Sequence, residues 1–329
     1  MNVAVVGATG LVGQRMLELL EERNFPVDAL LPVGREPGGR KVSFRGKEHP
    51  VLPVAEALNR KPALALFSAG AAASLDLAPR FAEAGAVVID NSSAWRMDPG
   101  KPLIVPEING DILGPDDRII ANPNCSTIQL VMVLNPLRRR YGLRRVVVST
   151  YQSVSGAGQK GVDQLTLERQ GKPSVKSCHQ PVDANVIPHI DVFLEDGYTR
   201  EEVKMMNESR KILRSPDLLL TATCVRVPVF VGHSEAANVE LEKEFNLEEV
   251  QALLRATPGV IVRDDPAELI YPTPLQAAGR DAVYVGRLRR DPSHPHTLNC
   301  WIVSDNLRKG AATNALQIAE LLRQKNLLA

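Results

Sequence analysis

The strongest constraint on the fold is a glycine-rich stretch near the N-terminus, VAVVGATGLVGQRM, which begins at Val3. An apolar, β-branched run ends there at Gly7, and apolar residues recur at helical spacing from Leu11 onward. Gly7, Gly10 and Gly13 therefore fall between a first buried strand and a first helix. Such a turn lets backbone N–H groups approach a pyrophosphate at the helix N-terminus, where the dipole favours negative charge. We expect a dinucleotide site here, and a purely structural glycine turn is the alternative.

The first third of the chain alternates strand and helix patterns. Apolar runs typical of buried strands lie at 2–7, 27–34, 63–69, 86–91 and 118–123, with helical segments from 11 and at 74–84. Apolar strands that alternate with helices are typical of a parallel sheet covered on both faces. The stretch 35–50, rich in Gly, Pro and charge, is predicted to be a loop.

The pattern changes after Asn122. Longer, partly alternating runs predict a second, mostly antiparallel sheet, with strands at 144–154, 218–231, 233–243, 282–291 and 296–306. Helices at 158–170 and 247–256 are expected to cover it, and an amphipathic helix at 309–324 is expected to return to the first domain. The fold class is therefore α/β. We expect a Rossmann-type dinucleotide-binding domain (1–122 plus 307–329) and a second α/β domain (123–306).

Composition limits the partners. The 329 residues carry a formal charge of +1 and no apolar run that could span a bilayer, so neither a nucleic-acid partner nor a membrane is expected. The four cysteines, Cys125, Cys178, Cys224 and Cys300, are far apart and form no CxxC pair. A disulfide framework or a metal site is not expected, and a reducing, cytoplasmic setting fits best.

The second strand predicts which dinucleotide is used. It ends without the acidic residue that usually holds the ribose hydroxyls of NAD, and Arg35 and Arg40 lie in the following loop. Arginine suits a 2′-phosphate, so NADP is favoured. Glu36 would repel that phosphate unless it points away, which leaves NAD open.

Cys125 lies in ANPNCSTIQLV, where a strand pattern gives way to a helical one. A helix N-terminus lowers the pKa of a thiol, and its N–H groups can hold an oxyanion. A small thiol buried at a turn has the same pattern. Position alone leaves both interpretations open for Cys125, while the other three cysteines are interpreted as structural.

Two basic residues stand in unusual positions. Arg226 interrupts an apolar strand pattern, CVRVPVF, which favours either a carboxylate ligand or an edge strand facing water. His233 follows a glycine at a strand junction. A lone histidine is more often structural than catalytic, and its nearness to Arg226 favours the interpretation that both face one cleft. Glu201, Glu202 and Lys204 are typical of a solvated helix start.

Eight motifs, in order from the first strand to the last helix, resemble the bacterial type of aspartate-β-semialdehyde dehydrogenase. They are GATGLVGQ, FSAG, NSSAWRMD, NPNCSTIQ, YQSVSGAGQKG, EEVKMMNESRKIL, RVPVFVGHSEA and DNLRKGAATNALQIAE. The resemblance implies NADPH-dependent conversion of L-4-aspartyl phosphate to L-aspartate 4-semialdehyde with release of phosphate. It also implies a dimerising second domain and a homodimer or dimer of dimers.

The resemblance assigns roles to the matching residues. Cys125 would be the nucleophile that forms a thioester, His233 the general acid/base, and Gln152 the residue that orients the substrate. Substrate contacts would come from Arg226 on the α-carboxylate, Glu201 on the α-amino group, Asn124, and a phosphate-binding set of Asn91, Arg96 and Lys204. Cofactor contacts would come from Gly7, Thr9, Gly10, Leu11, Val12, Gly13, Arg35, Ser68, Gly70, Ser155, Gly156, Gly158 and Asn306. The family's usual Ser-Arg-Ser run is replaced here by Gly34-Arg35-Glu36.

Three other functions were weighed. N-acetyl-γ-glutamyl-phosphate reductase has a similar fold but typically carries Gly-Cys-Tyr-Pro at its nucleophile, unlike the Asn-Cys-Ser-Thr motif here. A short-chain reductase needs Tyr and Lys four residues apart, and no tyrosine of this chain has that partner. A non-enzymatic NADPH-binding sensor would need neither Cys125 nor His233.

Overall fold

The computed structural model describes residues 1–34, 38–174 and 176–328. The strands are β1 (Asn2–Val6), β2 (Ala29–Val33), β3 (Lys41–Phe44), β4 (Lys47–Pro50), β5 (Leu64–Phe67), β6 (Val87–Asp90), β7 (Ile119–Ala121), β8 (Leu143–Gln152), β9 (Leu219–Arg226), β10 (His233–Leu241), β11 (Val260–Val262), β12 (Val283–Arg290) and β13 (Thr297–Ser304). The helices are α1 (Leu11–Glu22), α2 (Val54–Asn59), α3 (Ala71–Glu83), α4 (Pro106–Asn109), α5 (Cys125–Tyr141), α6 (Gln159–Arg169), α7 (Arg200–Leu213), α8 (Leu247–Arg255), α9 (Pro274–Ala277) and α10 (Thr313–Gln324).

The chain divides into two compact units. Unit 1 is Met1–Asn124 with Ala311–Ala329, and unit 2 is Cys125–Gly310. The predicted functional domains, 1–122 with 307–329 and 123–306, have a similar extent, and the roles given to them stay predictions. Within the described residues, no helix combines the length and the apolar character needed to cross a membrane.

Unit 1 is built on a five-stranded parallel sheet in the order β2-β1-β5-β6-β7. One face packs against α1 and α10 through residues such as Leu19 and Leu316. The other face packs against α2 and α3, where Phe81 stacks edge-on against Phe67. The apolar runs predicted as buried strands are apolar at every position because both faces of this sheet are covered. The predicted α/β class with a Rossmann-type first domain is confirmed.

The strand order of unit 1 fixes where a ligand can bind. The chain moves from β1 outward to β2, then returns past β1 to β5, so the order reverses between β1 and β5. In open parallel sheets the crevice outside the carboxyl ends at such a reversal is the ligand site. Gly7 follows β1 and Ser68 follows β5, so both lie at this crevice.

The predicted loop at 35–50 is partly wrong, because β3 and β4 form an antiparallel hairpin within it. Arg45 and Gly46 both have positive φ, of 50° and 69°, the backbone that a two-residue hairpin turn requires. Val42 and Phe44 alternate with exposed residues and enter the core of unit 1. The loop pattern of charge and glycine concealed this short period-two alternation.

Unit 2 contains a six-stranded sheet in the order β11-β12-β13-β10-β8-β9. The central pairings are antiparallel, while the outer pairs β8–β9 and β11–β12 are parallel. The sheet is therefore mixed, with three of its five pairings antiparallel as the alternating pattern predicts. Helices α5 and α7 pack on one face, and the opposite face is half-exposed at residues such as Tyr151, Ala236 and Trp301.

Candidate active site

Strand register in unit 2 brings four polar side chains into one row. Gln152 and Arg226, the last residues of β8 and β9, are direct partners in a parallel pair. His233, the first residue of β10, is opposite Ser304, the last residue of β13. Because Ser234 is opposite Tyr151, His233 falls level with Gln152. All four side chains of the row are buried at one end of the sheet.

Helix α5 brings Cys125 to the same end of the sheet. Cys125 is the first residue of this helix and is half-buried. One turn later Gln129 accepts a hydrogen bond of 2.6 Å from the Ser304 hydroxyl. Residues four apart share a helix face, so the thiol lies one turn from the row of polar side chains. The backbone of Gly310 lies against Cys125, since a Cβ there would be 3.0 Å from the Cys125 Cβ.

His233 is fully buried and held by its Nδ1 atom. The Ser153 backbone N–H donates to Nδ1 over 3.1 Å, so this nitrogen is an acceptor and the neutral ring carries its hydrogen on Nε2. Within the described part of the chain Nε2 has no hydrogen-bond partner. Burial, assisted by the nearby Arg226 charge, lowers the pKa of His233 to about 3. The resting ring is therefore neutral and presents one buried N–H donor.

Asn306 connects the loops around His233. Its Oδ1 accepts from the Ser153 hydroxyl at 3.0 Å and from the Gly232 backbone N–H at 2.9 Å. Its Nδ2 donates to the Ser155 hydroxyl over 3.0 Å. Through these contacts Asn306 fixes the Ser153 backbone that positions the imidazole.

Arg226 and His233 converge on Gly156. The Arg226 Nη1 donates to the Ser153 carbonyl at 2.6 Å, while its buried Nε has no partner among the described residues. A Cβ added to Gly156 would lie 2.9 Å from Arg226 Nη1 and 3.2 Å from His233 Nε2. Any side chain at this position would therefore crowd both groups.

A cavity of about 400 Å³ opens beside these donors, lined by Arg226, Gly156, Glu201, Lys204 and Asp191 among others. Glu201 accepts from the Gln152 amide at 3.3 Å and from the Lys204 ammonium at 3.3 Å. Lys204 also pairs with Asp191 at 2.6 Å. The cavity thus offers positive and negative groups side by side, which suits a zwitterion.

The interpretation of Glu201 and Glu202 as a solvated helix start is wrong. Glu201 and Glu202 are 5% and 7% exposed. Glu202 completes a capping box with Thr199 at the start of α7, and it accepts the Cys224 backbone N–H at 2.9 Å. Because Glu202 anchors α7 against β9, its neighbour Glu201 is directed into the cavity.

The glycine turn of unit 1 fits an anionic dinucleotide. Gly7 has a φ of +85°, and a Cβ on it would lie 2.3 Å from the Ser68 carbonyl oxygen. Gly10 begins α1 without a side-chain cap, and the first turn has no acidic residue. The first N–H groups of α1 therefore face the crevice uncapped, as pyrophosphate binding needs. Thr9 and Gly10 are exposed at this turn, and Leu11 and Val12 are half-buried.

The other predicted cofactor residues are divided between the units. Gly70 begins α3 with a φ of +82° and is exposed beside Ser68 in unit 1. Ser155 and Gly156 lie in a short turn of 3₁₀ helix before Gly158, which begins α6 in unit 2. Arg35 lies outside the described residues, so the predicted 2′-phosphate contact stays a prediction.

The predicted phosphate-binding residues are also divided. Asn91 and Arg96 lie after β6 in unit 1, where the Arg96 guanidinium donates to the Asn91 carbonyl at 2.8 Å. Asn124, the last residue of this stretch of unit 1, is 6% exposed. Lys204 lies in unit 2, in the cavity described above.

Known proteins match this sequence over nearly its whole length. A model of the semialdehyde dehydrogenase NAD-binding domain matches residues 2–114, and one of the semialdehyde dehydrogenase dimerisation domain matches 134–309. The aspartate-semialdehyde dehydrogenase of Aquifex aeolicus is 51% identical over 99% of both chains, and that of Bacillus subtilis is 46% identical over 100% of this chain and 99% of its own.

The chain belongs to the aspartate-semialdehyde dehydrogenase family. A crystal structure of aspartate semialdehyde dehydrogenase II from Vibrio cholerae, complexed with ASA, is 46% identical with a TM-score of 0.93, covering 98% of both chains. The predicted resemblance is thereby confirmed, and the chain is an NAD(P)-dependent oxidoreductase of amino-acid biosynthesis.

Sequence reasoning missed several residues that shape this dehydrogenase site. Ser153 holds the imidazole, Asp191 pairs with Lys204, and Gly310 lies against the thiol. Ser153 could have been found, because it directly follows Gln152 at the strand end. Asp191 and Gly310 carry no local signal, since only the tertiary fold brings them to the site.

Proposed function

We propose that this chain reduces L-4-aspartyl phosphate to L-aspartate 4-semialdehyde with NADPH, through a thioester on Cys125, and releases phosphate. The observation that carries the proposal is the row of Arg226, Gln152 and His233, one helical turn from the thiol at the start of α5. An acyl-transfer site needs a nucleophile, an oxyanion donor and a substrate clamp, and this row supplies them together.

The first step forms the thioester. The Cys125 thiolate attacks the acyl carbon, the bond from that carbon to the phosphate oxygen breaks, and inorganic phosphate leaves. The start of α5 favours the thiolate because the helix dipole stabilises negative charge there. The Nε2–H of His233, which has no partner among the described residues, would donate to the developing oxyanion.

The second step releases the aldehyde. When bound, the nicotinamide supplies a hydride to the thioester carbon. His233 then stabilises the thiohemiacetal oxygen, and the carbon–sulfur bond breaks to return the Cys125 thiolate. Burial chiefly, and the Arg226 charge in smaller part, hold the pKa of His233 low. An anion close to Nε2 would offset the part due to Arg226 and so favour a proton on the ring.

The cavity explains recognition of an α-amino acid. The Arg226 guanidinium would hold the α-carboxylate through a planar fork that lysine does not have. Glu201 would hold the α-ammonium, with Gln152 fixing the Glu201 carboxylate through its amide. An acetylated amino group has no charge for Glu201, which speaks against an N-acetyl substrate.

The remaining site residues are proposed to bind the phosphate and the dinucleotide. Asn91, Arg96, Asn124 and Lys204 are proposed to bind the phosphate. Gly7, Thr9, Gly10, Leu11, Val12, Gly13, Ser68 and Gly70 are proposed for the dinucleotide in unit 1, with Ser155, Gly156, Gly158 and Asn306 on the nicotinamide side. A fungal relative from Candida albicans, 25% identical with a TM-score of 0.79, has a crystal structure with NADP, and Arg35 supports the same choice here.

We further propose a homodimer, or a dimer of dimers, formed through unit 2. The half-exposed sheet face that carries Tyr151, Ala236 and Trp301 supports this interface, as does the match to a dimerisation domain. Light scattering on the purified protein tests it, with a mass of two or four chains expected. Within the described residues none of the four cysteines forms a disulfide, which suits a cytoplasmic location.

An assay in the reverse direction tests substrate and cofactor together. Aspartate semialdehyde, phosphate and enzyme should reduce NADP at a rate that depends on phosphate, and NAD more slowly. Arg226→Lys should raise the KM for the semialdehyde about tenfold, because one charge-assisted contact is lost. A rate of NADP reduction that does not depend on phosphate would contradict the proposed reaction.

A further inference from the structure

Two asparagines of unit 1 follow neighbouring strands at the same register. Asp90 of β6 is opposite Ala121 of β7, so Asn91 and Asn122 come next, side by side at the carboxyl edge of the sheet. The Asn122 backbone N–H donates to the Asp90 carbonyl at 2.8 Å. Arg96 donates to the carbonyls of both asparagines, at 2.8 Å and 3.0 Å.

A chain of amides runs from the last helix to Asn91. Asn314, in the first turn of α10, donates its Nδ2 to the Asn122 Oδ1 over 2.7 Å. Asn122 in turn donates its Nδ2 to the Asn91 Oδ1 over 2.7 Å. Asn314 and Asn122 are fully buried, while Asn91 is only partly buried. The relay therefore runs from the interior of unit 1 outward to a side chain that a ligand can reach.

Two backbone carbonyls fix the direction of this relay. The Nδ2 of Asn314 also donates to the Ile104 carbonyl at 2.9 Å, and the Nδ2 of Asn122 also donates to the Ala311 carbonyl at 3.1 Å. A carbonyl can only accept, so turning either amide over would place two acceptors against each other. The Asn91 Oδ1 must therefore accept, and its Nδ2 is left to donate.

We propose that Asn122 and Asn314 are positioning residues for phosphate. They hold Asn91 with its Nδ2 hydrogens toward the anion, and the Arg96 bonds keep the two strand ends together. A phosphate oxygen accepts hydrogen bonds only, so an Asn91 amide that could turn over would often present its oxygen and repel the ligand. This inference rests on the phosphate role proposed above for Asn91 and Arg96.

The test is a set of KM values in the reverse reaction, with phosphate varied at saturating aspartate semialdehyde and NADP. Asn122→Leu keeps the side-chain volume but removes the relay, and it should raise the phosphate KM about tenfold, the value of one hydrogen bond to a charged acceptor. Asn314 is one hydrogen bond further from Asn91, so Asn314→Leu should raise the phosphate KM only about threefold. The KM values for the semialdehyde and NADP should stay unchanged in both.

Asn109→Leu is the matched control, since Asn109 is a buried asparagine of the same unit that bonds the backbone at Leu103 and Val105. It should lower stability without changing the phosphate KM. Asn91→Ala shows how far the phosphate KM rises when the Asn91 amide is lost. Adding Asn122→Leu to Asn91→Ala should raise the phosphate KM little further, because Asn122 acts through Asn91. If Asn122→Leu does not fold, Asn314→Leu makes the same test.

The two proposals fail in different ways. An unchanged phosphate KM in Asn91→Ala would overturn the proposed phosphate site. A raised phosphate KM in Asn91→Ala, with Asn122→Leu and Asn314→Leu both matching the Asn109→Leu control, would overturn the relay alone. Equal rises in all three KM values for Asn122→Leu would also overturn it, because a general structural defect affects every ligand.

Discussion

At the scale of single residues, the site depends on a glycine, Gly156, which has no side chain. Gly156 lies where the Arg226 Nη1 and the His233 Nε2 meet. Within the described residues the buried His233 Nε2 and Arg226 Nε have no hydrogen-bond partner. Buried donors without partners are costly, so a site that keeps two of them open is prepared for a ligand. The absence of a side chain at Gly156 thus keeps the space beside these two groups open.

Gly156→Ala should therefore separate binding of substrate from folding. The new Cβ would lie within 2.9 Å of Arg226 Nη1, so the guanidinium must move. We expect a rise of about tenfold in the semialdehyde KM and a fall in kcat, measured by steady-state kinetics. Gly114→Ala is the control, because Gly114 is not among the positive-φ glycines and the nearest atom to its added Cβ is 4.0 Å away. Equal kinetics in the two variants would show that Gly156 leaves no space that the substrate needs.

At the scale of elements, a second row of side chains lies one register step beneath the first, on the sheet face that carries α5. Glu235 of β10 is opposite Thr150 of β8, which is opposite Cys224 of β9. Burial raises the pKa of the Glu235 carboxyl well above its usual value, opposed only in part by Gln129 of α5. The buried Glu235 carboxyl group thus lies near Gln129, and within the described residues neither of its oxygens has a hydrogen-bond partner.

Glu235→Gln should make stability less dependent on pH. The folded protein keeps the Glu235 proton while the unfolded chain releases it above about pH 4.5, so wild-type stability falls as pH rises through that range. As pH rises, the free energy of unfolding of the variant should increase relative to that of wild type by up to about 1.4 kcal/mol for each pH unit, until the folded group also ionises. Urea unfolding at pH 5 and pH 7 measures this.

Glu244→Gln, an exposed change in the same unit, provides the reference. A constant stability difference between Glu235→Gln and wild type at both pH values would mean that Glu235 is charged in the folded protein.

Elements were predictable where a local pattern determined them. The β1–α1 glycine turn follows from spacing, and the buried strands of unit 1 follow from apolar runs covered on both faces. The β3–β4 hairpin was not predicted, because two buried residues in four are a weak signal within a charged stretch. The burial of Glu201 was missed for another reason: the Glu202 contact with β9 is tertiary, and the local pattern is that of any helix start.

For the candidate site, the sequence indicates single residues but not how they are arranged. Cys125, His233 and Arg226 stood out as candidates because each is unusual in its local context, while their roles were implied by the family resemblance and stay proposals. The row that relates Gln152, Arg226 and His233 depends on strand register between segments up to 81 residues apart, counted from 152 to 233. Register between distant strands is set by tertiary packing, so no single-sequence pattern could provide it.

At the scale of the whole molecule, the chemistry is divided by unit. Unit 1 carries the glycine turn and the Asn91 relay, while unit 2 carries the thiol, the imidazole and the amino-acid cavity. We propose that unit 1 supplies most of the dinucleotide and phosphate contacts, and that unit 2 adds the nicotinamide side and Lys204 and forms and breaks the covalent bond. The thioester on Cys125 is the claim on which every other assignment depends.

The most direct measurement is therefore phosphate release from L-4-aspartyl phosphate by the full-length enzyme, without any nicotinamide cofactor, followed by rapid quench. The account predicts a burst of about one phosphate per chain, together with a chain whose mass has increased by one aspartyl group. Cys125→Ala should show neither, while still binding NADPH. A Cys125→Ala enzyme that releases phosphate with the same burst, or a wild-type burst without an acylated chain, would contradict the thioester route.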